Sequence, residues 1–255
     1  MNVAAKMVIR RLLVVGGIAS AGWAVWMRFS RRPLRPGLLH LATVSAIAAA
    51  SLVADSLSSG RRGCCRDITR LPDGLSFCCI ALTFDGGPDA QNTPVILDTL
   101  NSAGAKATFF VQLENVAKNP VLTRRIVEEG HTLGVCGVDG ESMAQWTPEQ
   151  VEHALKMMRR EVGADLPQIR LFRPPQGLKS RAMRHAVSRM GMTMVTWSLD
   201  PRDESCSPGE LVKRIANRAG HGDIVLLHDR SESTAEAIGG IVKRLTGKGF
   251  HLVRL

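Results

Sequence analysis

From Ile80 to Val253 the sequence alternates short apolar runs with longer segments of helical spacing, and this alternation constrains the fold more than any other feature. The apolar runs are Ile80–Phe84, Ala107–Val111, Thr132–Cys136, Ile169–Phe172, Met192–Trp197, Asp223–Leu227 and His251–Val253. Between them lie Thr93–Ser102, Val121–Glu129, Pro148–Gly163, Ser180–Met190, Pro208–Ala219 and Thr234–Leu245. The Pro148 segment has helix punctuation, with Thr147 as N-cap, Pro148 in the first turn and Gly163 near the end. Strands separated by whole helices form parallel sheets, because a tight hairpin joins only antiparallel neighbours. The expected fold class is therefore α/β with about seven parallel strands, open or closed, since periodicity does not separate the two.

Charge divides the chain. The formal net charge is +10. Residues 1–77 hold 11 Lys and Arg against three acids, whereas the remainder holds 22 basic and 20 acidic residues. The globular part is close to neutral, and the chain contains no tyrosine for base stacking, so nucleic-acid binding loses its support. Instead, Lys6, Arg10 and Arg11 precede an apolar run from Leu12 to Met27. Arg28, Arg31, Arg32 and Arg35 follow, then a second apolar run from Gly37 to Leu57. The second run has the roughly 20 residues a spanning helix needs, and an arginine-rich loop stays cytoplasmic. Residues 1–57 are thus expected to be a membrane anchor or signal region, with the chain after about residue 57 facing the periplasm or exterior. Residues 58–78 read as a Gly- and Arg-rich linker and 79–255 as the folded domain. Six cysteines, including the adjacent pairs Cys64–Cys65 and Cys78–Cys79, suit disulfides outside the cytoplasm, though no pairing follows from sequence. No C-x-x-C spacing supports structural zinc.

Polar residues recur where the strands end. The first strand runs into Asp85-Gly86-Gly87-Pro88, the Ile169 strand into Arg173-Pro174-Pro175-Gln176-Gly177, the Met192 strand into Trp197-Ser198-Leu199-Asp200, and the Asp223 strand into Leu226-Leu227-His228. Parallel sheets and barrels keep their chemistry at the carboxyl ends of the strands. An Asp–Arg pair holds a carboxylate ionised, and an Asp–His pair raises the basicity of an imidazole. Together they offer a base and an acid with separated pKa values, as ester or amide hydrolysis requires.

The order and spacing of these segments resemble the polysaccharide deacetylase family of carbohydrate esterases (carbohydrate esterase family four, NodB homology), over about Ile80 to Leu255. Thr83–Pro88 matches its Thr-Phe-Asp-Asp-Gly-Pro motif with one change, Arg173–Gly177 matches Arg-Pro-Pro-x-Gly, Trp197 and Asp200 match its fourth motif, and Leu226–His228 matches Leu-x-His. The resemblance implies a distorted (β/α) barrel that removes N- or O-acetyl groups from an acetylated polysaccharide or oligosaccharide. It implies Asp85 as catalytic base, Arg173 orienting it, His228 as general acid and Asp200 as the partner of His228. Pro174, Pro175, Gln176 and Leu226 would line the substrate pocket, with Gln176 where the family commonly has an aromatic residue.

The resemblance also implies a divalent metal, zinc or similar, held by an Asp and two His. Here those positions carry Gly86, Cys136 and Gly140. Only Cys136 retains a donor, with Asp139 or Glu141 as nearby carboxylates, and one thiolate does not make a catalytic zinc site. His131 matches a family position outside the metal set. Two readings follow: a deacetylase working on its acid–base residues with a rebuilt or weak metal site, or an inactive glycan-binding or scaffold protein. Trp146, in a polar loop, is the expected sugar-stacking aromatic.

Overall fold

A computed structural model of the chain describes residues 67–255, apart from 74, 76 and 163–168. Both N-terminal apolar runs, Cys64 and Cys65 lie outside the described residues, so the membrane or signal expectation does too. Among the described residues no helix is long and apolar enough to cross a membrane.

Among the described residues, eight parallel strands make one sheet in the order β1-β6-β5-β4-β3-β2-β7, with β8 pairing the first half of β2. They are β1 (Asp67–Ile68), β2 (Cys79–Asp85), β3 (Thr108–Val111), β4 (Thr132–Val135), β5 (Leu171–Phe172), β6 (Thr193–Val195), β7 (Ile224–His228) and β8 (His251–Val253). The helices are α1 (Asn92–Ser102), α2 (Leu113–Lys118), α3 (Pro120–Glu128), α4 (Pro148–Val162), α5 (Arg181–Arg189), α6 (Pro208–Arg218) and α7 (Glu232–Gly247). Beyond the end of β6 the chain reaches β7, where Leu199 bridges Val225 in parallel and accepts a hydrogen bond from the Leu226 N–H at 2.9 Å. That contact closes the sheet on itself, and the fold is the distorted (β/α) barrel expected.

Strand alternation divides the core. β2 sends Ile80, Leu82 and Phe84 into a large apolar cluster with helix residues such as Ile96, Leu97, Ile238 and Ile241. Its alternate residues Cys79 and Ala81 join Phe110, Leu171, Val195 and Ile224 in a smaller cluster on the other face, inside the barrel. The helices begin where sequence places them. Thr147 and Gln150 form a capping box, with Thr147 Oγ1 accepting from the Gln150 N–H at 3.3 Å and Gln150 Oε1 accepting from the Thr147 N–H at 2.8 Å. Ser180, Ser207 and Ser231 cap α5, α6 and α7, each hydroxyl accepting from the N–H three residues on.

Two features differ from the sequence reading. Part of the expected linker is structural: β1 pairs with β6, Leu71 is buried, and Asp67 takes ion pairs from Lys179 at 2.9 Å and Arg184 at 3.0 Å. A two-residue strand is too short to leave a periodic signal. Helix α2, six residues long, is likewise too short to show a periodic pattern in the sequence. Cys78, Cys79, Cys136 and Cys206 are free thiols among the described residues.

Candidate active site

The site begins with a register. β2 and β7 pair residue by residue from Ala81 opposite Ile224 to Asp85 opposite His228. Paired residues of parallel neighbours point to the same face, and strands lie about 4.8 Å apart. Asp85 and His228 therefore leave adjacent strand ends side by side, within reach of one small molecule. Immediately after Asp85 the chain must turn. Gly86 has φ +91°, where side chains are strained, and a Cβ on Gly87 would lie 1.8 Å from Asp229 Oδ2. The Asp-Gly-Gly-Pro sequence is a turn in which backbone conformation disfavours a side chain at Gly86 and Asp229 leaves no room for one at Gly87.

Arg173 supports Asp85 from inside the barrel. Its side chain is fully buried, and Nη1 donates to Asp85 Oδ1 at 2.7 Å and to Thr83 Oγ1 at 2.8 Å. Nη2 donates to the Thr196 carbonyl at 3.1 Å, and the guanidinium lies 4.0 Å above the Phe110 ring. Burial raises the Asp85 pKa, while the charge and hydrogen bond of Arg173, with the charge of His228, favour the ionised form as sequence reading expects and offset part of that rise. The carboxyl is a stronger base than a free aspartate.

The partner of His228 is Asp203, not Asp200. Asp203 Oδ1 lies 2.9 Å from His228 Nδ1, while Oδ2 accepts from the His228 N–H at 2.7 Å and from Thr234 Oγ1 at 2.6 Å. Asp200 Oδ1 accepts from the Arg202 N–H at 2.7 Å, two residues along its own turn. Arg202 at φ +57° swings the chain between the two acids, so that Asp203 is buried and Asp200 is left at the rim. Burial works to lower the His228 pKa, but the hydrogen bond and charge of Asp203, joined by the charge of Asp85, raise it overall. Burial works to raise Asp203, and the donors around it, with the His228 charge, bring it down. Nδ1 is committed to Asp203, which leaves Nε2 as the nitrogen directed away from it.

The remaining expected residues are placed as follows. Pro174 and Pro175 are buried beside the site, Gln176 is exposed at φ +56°, and Leu226 is buried in register with Thr83, two residues before His228. Trp146 is half-buried, with part of its ring packed against the helix-side core. Trp197 packs against the inner cluster, 5.6 Å from the Arg173 guanidinium. His131 is a buried core histidine, its Nδ1 accepting from the Ala107 N–H at 3.1 Å and its pKa lowered by burial to about 4. Two further residues, Asp229 and Arg230, follow His228 directly, and sequence reading passed over both. Asp229 is buried, accepts from Thr93 Oγ1 at 2.7 Å through Oδ2, and is raised by burial to about 7, with Asp85 and Asp89 adding to the effect.

The residues present do not fit a divalent metal. Among the described residues no group of three or more His, Cys, Asp or Glu could hold one. Gly86 and Gly140 bring no donor, and a polar side chain lies beside each. A Cβ on Gly86 would meet Arg230 Nε at 3.3 Å, and one on Gly140 would meet Gln112 Nε2 at 3.0 Å. Cys136, the expected ligand, is a buried thiol donating to the Phe110 carbonyl at 2.9 Å. Burial and the nearby Asp85 charge raise its pKa well above the ordinary value, which disfavours the thiolate that metal ligation requires. Asp139 and Glu141 are exposed, and Asp139 Oδ1 accepts from the Glu141 N–H within their own turn.

Residues 75–195 match the polysaccharide deacetylase family. The peptidoglycan-N-acetylglucosamine deacetylase of Bacillus cereus is 35% identical over 182 residues, covering 68% of this chain and 84% of that protein. The peptidoglycan-N-acetylglucosamine deacetylase PgdA of Listeria monocytogenes is 32% identical over 193 residues, covering 74% of this chain. The match spans only 40% of the length of that protein. The crystal structure of peptidoglycan deacetylase PdaC from Bacillus subtilis superposes with a TM-score of 0.66 at 30% identity, covering 71% of this chain and 89% of that one.

Proposed function

We propose, from the premise that this chain belongs to the polysaccharide deacetylase family, that it hydrolyses acetyl groups from an acetylated glycan. The observation that carries the reading is the register of Asp85 with His228, each braced by its own buried partner. In this reading Asp85 takes a proton from water as the water oxygen bonds to the acetyl carbonyl carbon. Its raised basicity favours that transfer, and Arg173 holds the carboxyl in place. His228, protonated at Nε2 and stabilised in that form by Asp203, gives its proton to the leaving amine or alcohol as the bond to carbon breaks. Acetate and the free glycan amine or hydroxyl are the products. The two ion pairs keep one group basic and the other acidic at a separation set by adjacent strands.

The relatives' names point to peptidoglycan or chitooligosaccharide as the kind of glycan, and the basic and apolar N-terminal segments fit an exported or membrane-anchored chain that meets it outside the cytoplasm. The test is acetate release by the full chain, in mild detergent, from acetylated chitooligosaccharide and from peptidoglycan. Release that disappears in both Asp85→Asn and His228→Ala supports the reading, and release that survives both overturns it. A second reading, a glycan-binding protein without turnover, is favoured by the loss of donors at Gly86 and Gly140. It predicts glycan binding with no acetate released by any form of the chain.

A further inference from the structure

Two side chains occupy the space that ligand side chains at Gly86 and Gly140 would enter, and both carry hydrogen-bond donors. Arg230 lies over Gly86, with Cγ, Cδ and Nε at 3.8, 3.5 and 3.3 Å from the position of a Cβ there. Its backbone is tied down, the carbonyl accepting from Asn92 Nδ2 at 3.1 Å. Gln112 lies beside Gly140. Asn115 Nδ2 donates both to the Gly86 carbonyl at 2.6 Å and to Gln112 Oε1 at 3.3 Å. That contact turns the Gln112 amide so that Nε2 is the end next to Gly140. One polar cluster, Asn92, Gln112, Asn115 and Arg230, thus surrounds the turn directly after Asp85.

Of Arg173, His228 and Arg230 at this rim, Arg230 has the longest ion pair, and it shares its cavity with Glu204, Glu232 and Glu236. Asp85 is paired with Arg173 at 2.7 Å and Asp203 with His228 at 2.9 Å. Arg230 has Glu204 at 3.7 Å, a pair in which both side chains are more than half exposed and which is therefore weak. A guanidinium presents two parallel N–H groups that match a carboxylate or a polarised carbonyl oxygen.

We propose that Arg230 supplies at this cleft the positive charge that the family draws from a divalent ion. With the Gln112 amide, it forms a metal-independent site for a small carboxylate or an acetyl carbonyl oxygen. The inference deepens the deacetylase reading and rests on it for the identity of the ligand, acetate being the product that such a site would hold.

The experiment uses the full chain in detergent, stripped with EDTA, and follows 13C-acetate binding by NMR titration in wild type, Arg230→Gln, Arg230→Lys and Glu204→Gln, each checked for unchanged thermal unfolding. Wild type is expected to bind acetate, Arg230→Gln to bind at least about tenfold more weakly, and Arg230→Lys to fall between. Glu204→Gln is expected to bind more tightly, and added zinc chloride to change none of these. Equal binding by wild type and Arg230→Gln overturns the proposal, as does binding that appears only after zinc is added, or no binding at all. Acetate release from chitooligosaccharide, measured on the same samples, separates the two readings. Arg230-dependent binding without release sinks the hydrolase and keeps the site, whereas release with binding indifferent to Arg230 does the reverse.

Discussion

Replacing Asp203 by Asn removes one charge and converts one acceptor oxygen into a donor amide at the centre of the His228 network. Asp203 accepts three hydrogen bonds, from His228 Nδ1, the His228 N–H and Thr234 Oγ1. An asparagine that keeps its oxygen toward the His228 N–H and Thr234 turns its NH2 toward Nδ1. The imidazole then carries its proton on Nε2 and is neutral. A hydrogen bond to a charged group contributes about 1.5–3 kcal/mol, which is about one to two pKa units at 1.36 kcal/mol per unit. The His228 pKa, raised in the wild type, is expected to fall by that amount. The alkaline limb of acetate release moves to lower pH by the same interval, and at pH 8 the rate drops about 10- to 100-fold. Stability follows a defined window. Asp203 is depressed, so its contribution is present above its ordinary value of 3.8 and is lost as pH falls through its folded pKa. His228 is raised, so its contribution is present below 6.5 and is lost as pH rises through its folded pKa. The deficit of Asp203→Asn is therefore largest between about pH 4 and 6.5 and smaller above it. Asp200→Asn, which keeps an oxygen for the turn contact and removes only a charge at the rim, is expected to stay within about 0.5 kcal/mol and to leave the His228 titration where it was. NMR titration of the His228 ring in the three proteins decides the matter without relying on turnover. An unchanged pKa in Asp203→Asn, or an equal shift in Asp200→Asn, refutes the assignment.

Arg173→Lys, which cannot satisfy Thr83, Asp85 and Thr196 together from one ammonium, is expected to lose about 3–5 kcal/mol in urea unfolding and most acetate release. Asp229 carries a proton in the folded chain up to about pH 7 that the unfolded chain loses near 4, so it subtracts stability as pH rises across that interval. Asp229→Asn should therefore have a higher Tm than wild type at pH 8, with the gain gone at pH 4. Gly87→Ala places a Cβ against Asp229 Oδ2, and about 1–3 kcal/mol of destabilisation in thermal unfolding is expected. Cys136 should resist a thiol reagent at pH 8 until the chain is unfolded, while exposed Cys78 reacts at once, as peptide mapping of the labelled sites would show.

What the sequence determined by itself was everything governed by local pattern. Strand–helix alternation specified a parallel α/β fold, and the residue leaving each strand's carboxyl end placed Asp85, Arg173 and His228 on one rim. That information is short-range: a side chain at a strand end points where the strand directs it. Tertiary structure decided the pairings that cross loops. Asp200 and Asp203 are equivalent candidates on paper, and a left-handed residue at Arg202 buries one and leaves the other at the rim. The direction of the Asp85 shift is a balance of burial against two cations, and neither depth nor distance is written in a strand's composition. Arg230 meets Gly86 only because β7 lies beside β2 in this register. Contacts between residues far apart in the chain arise when the barrel closes, and no window of the sequence spans them.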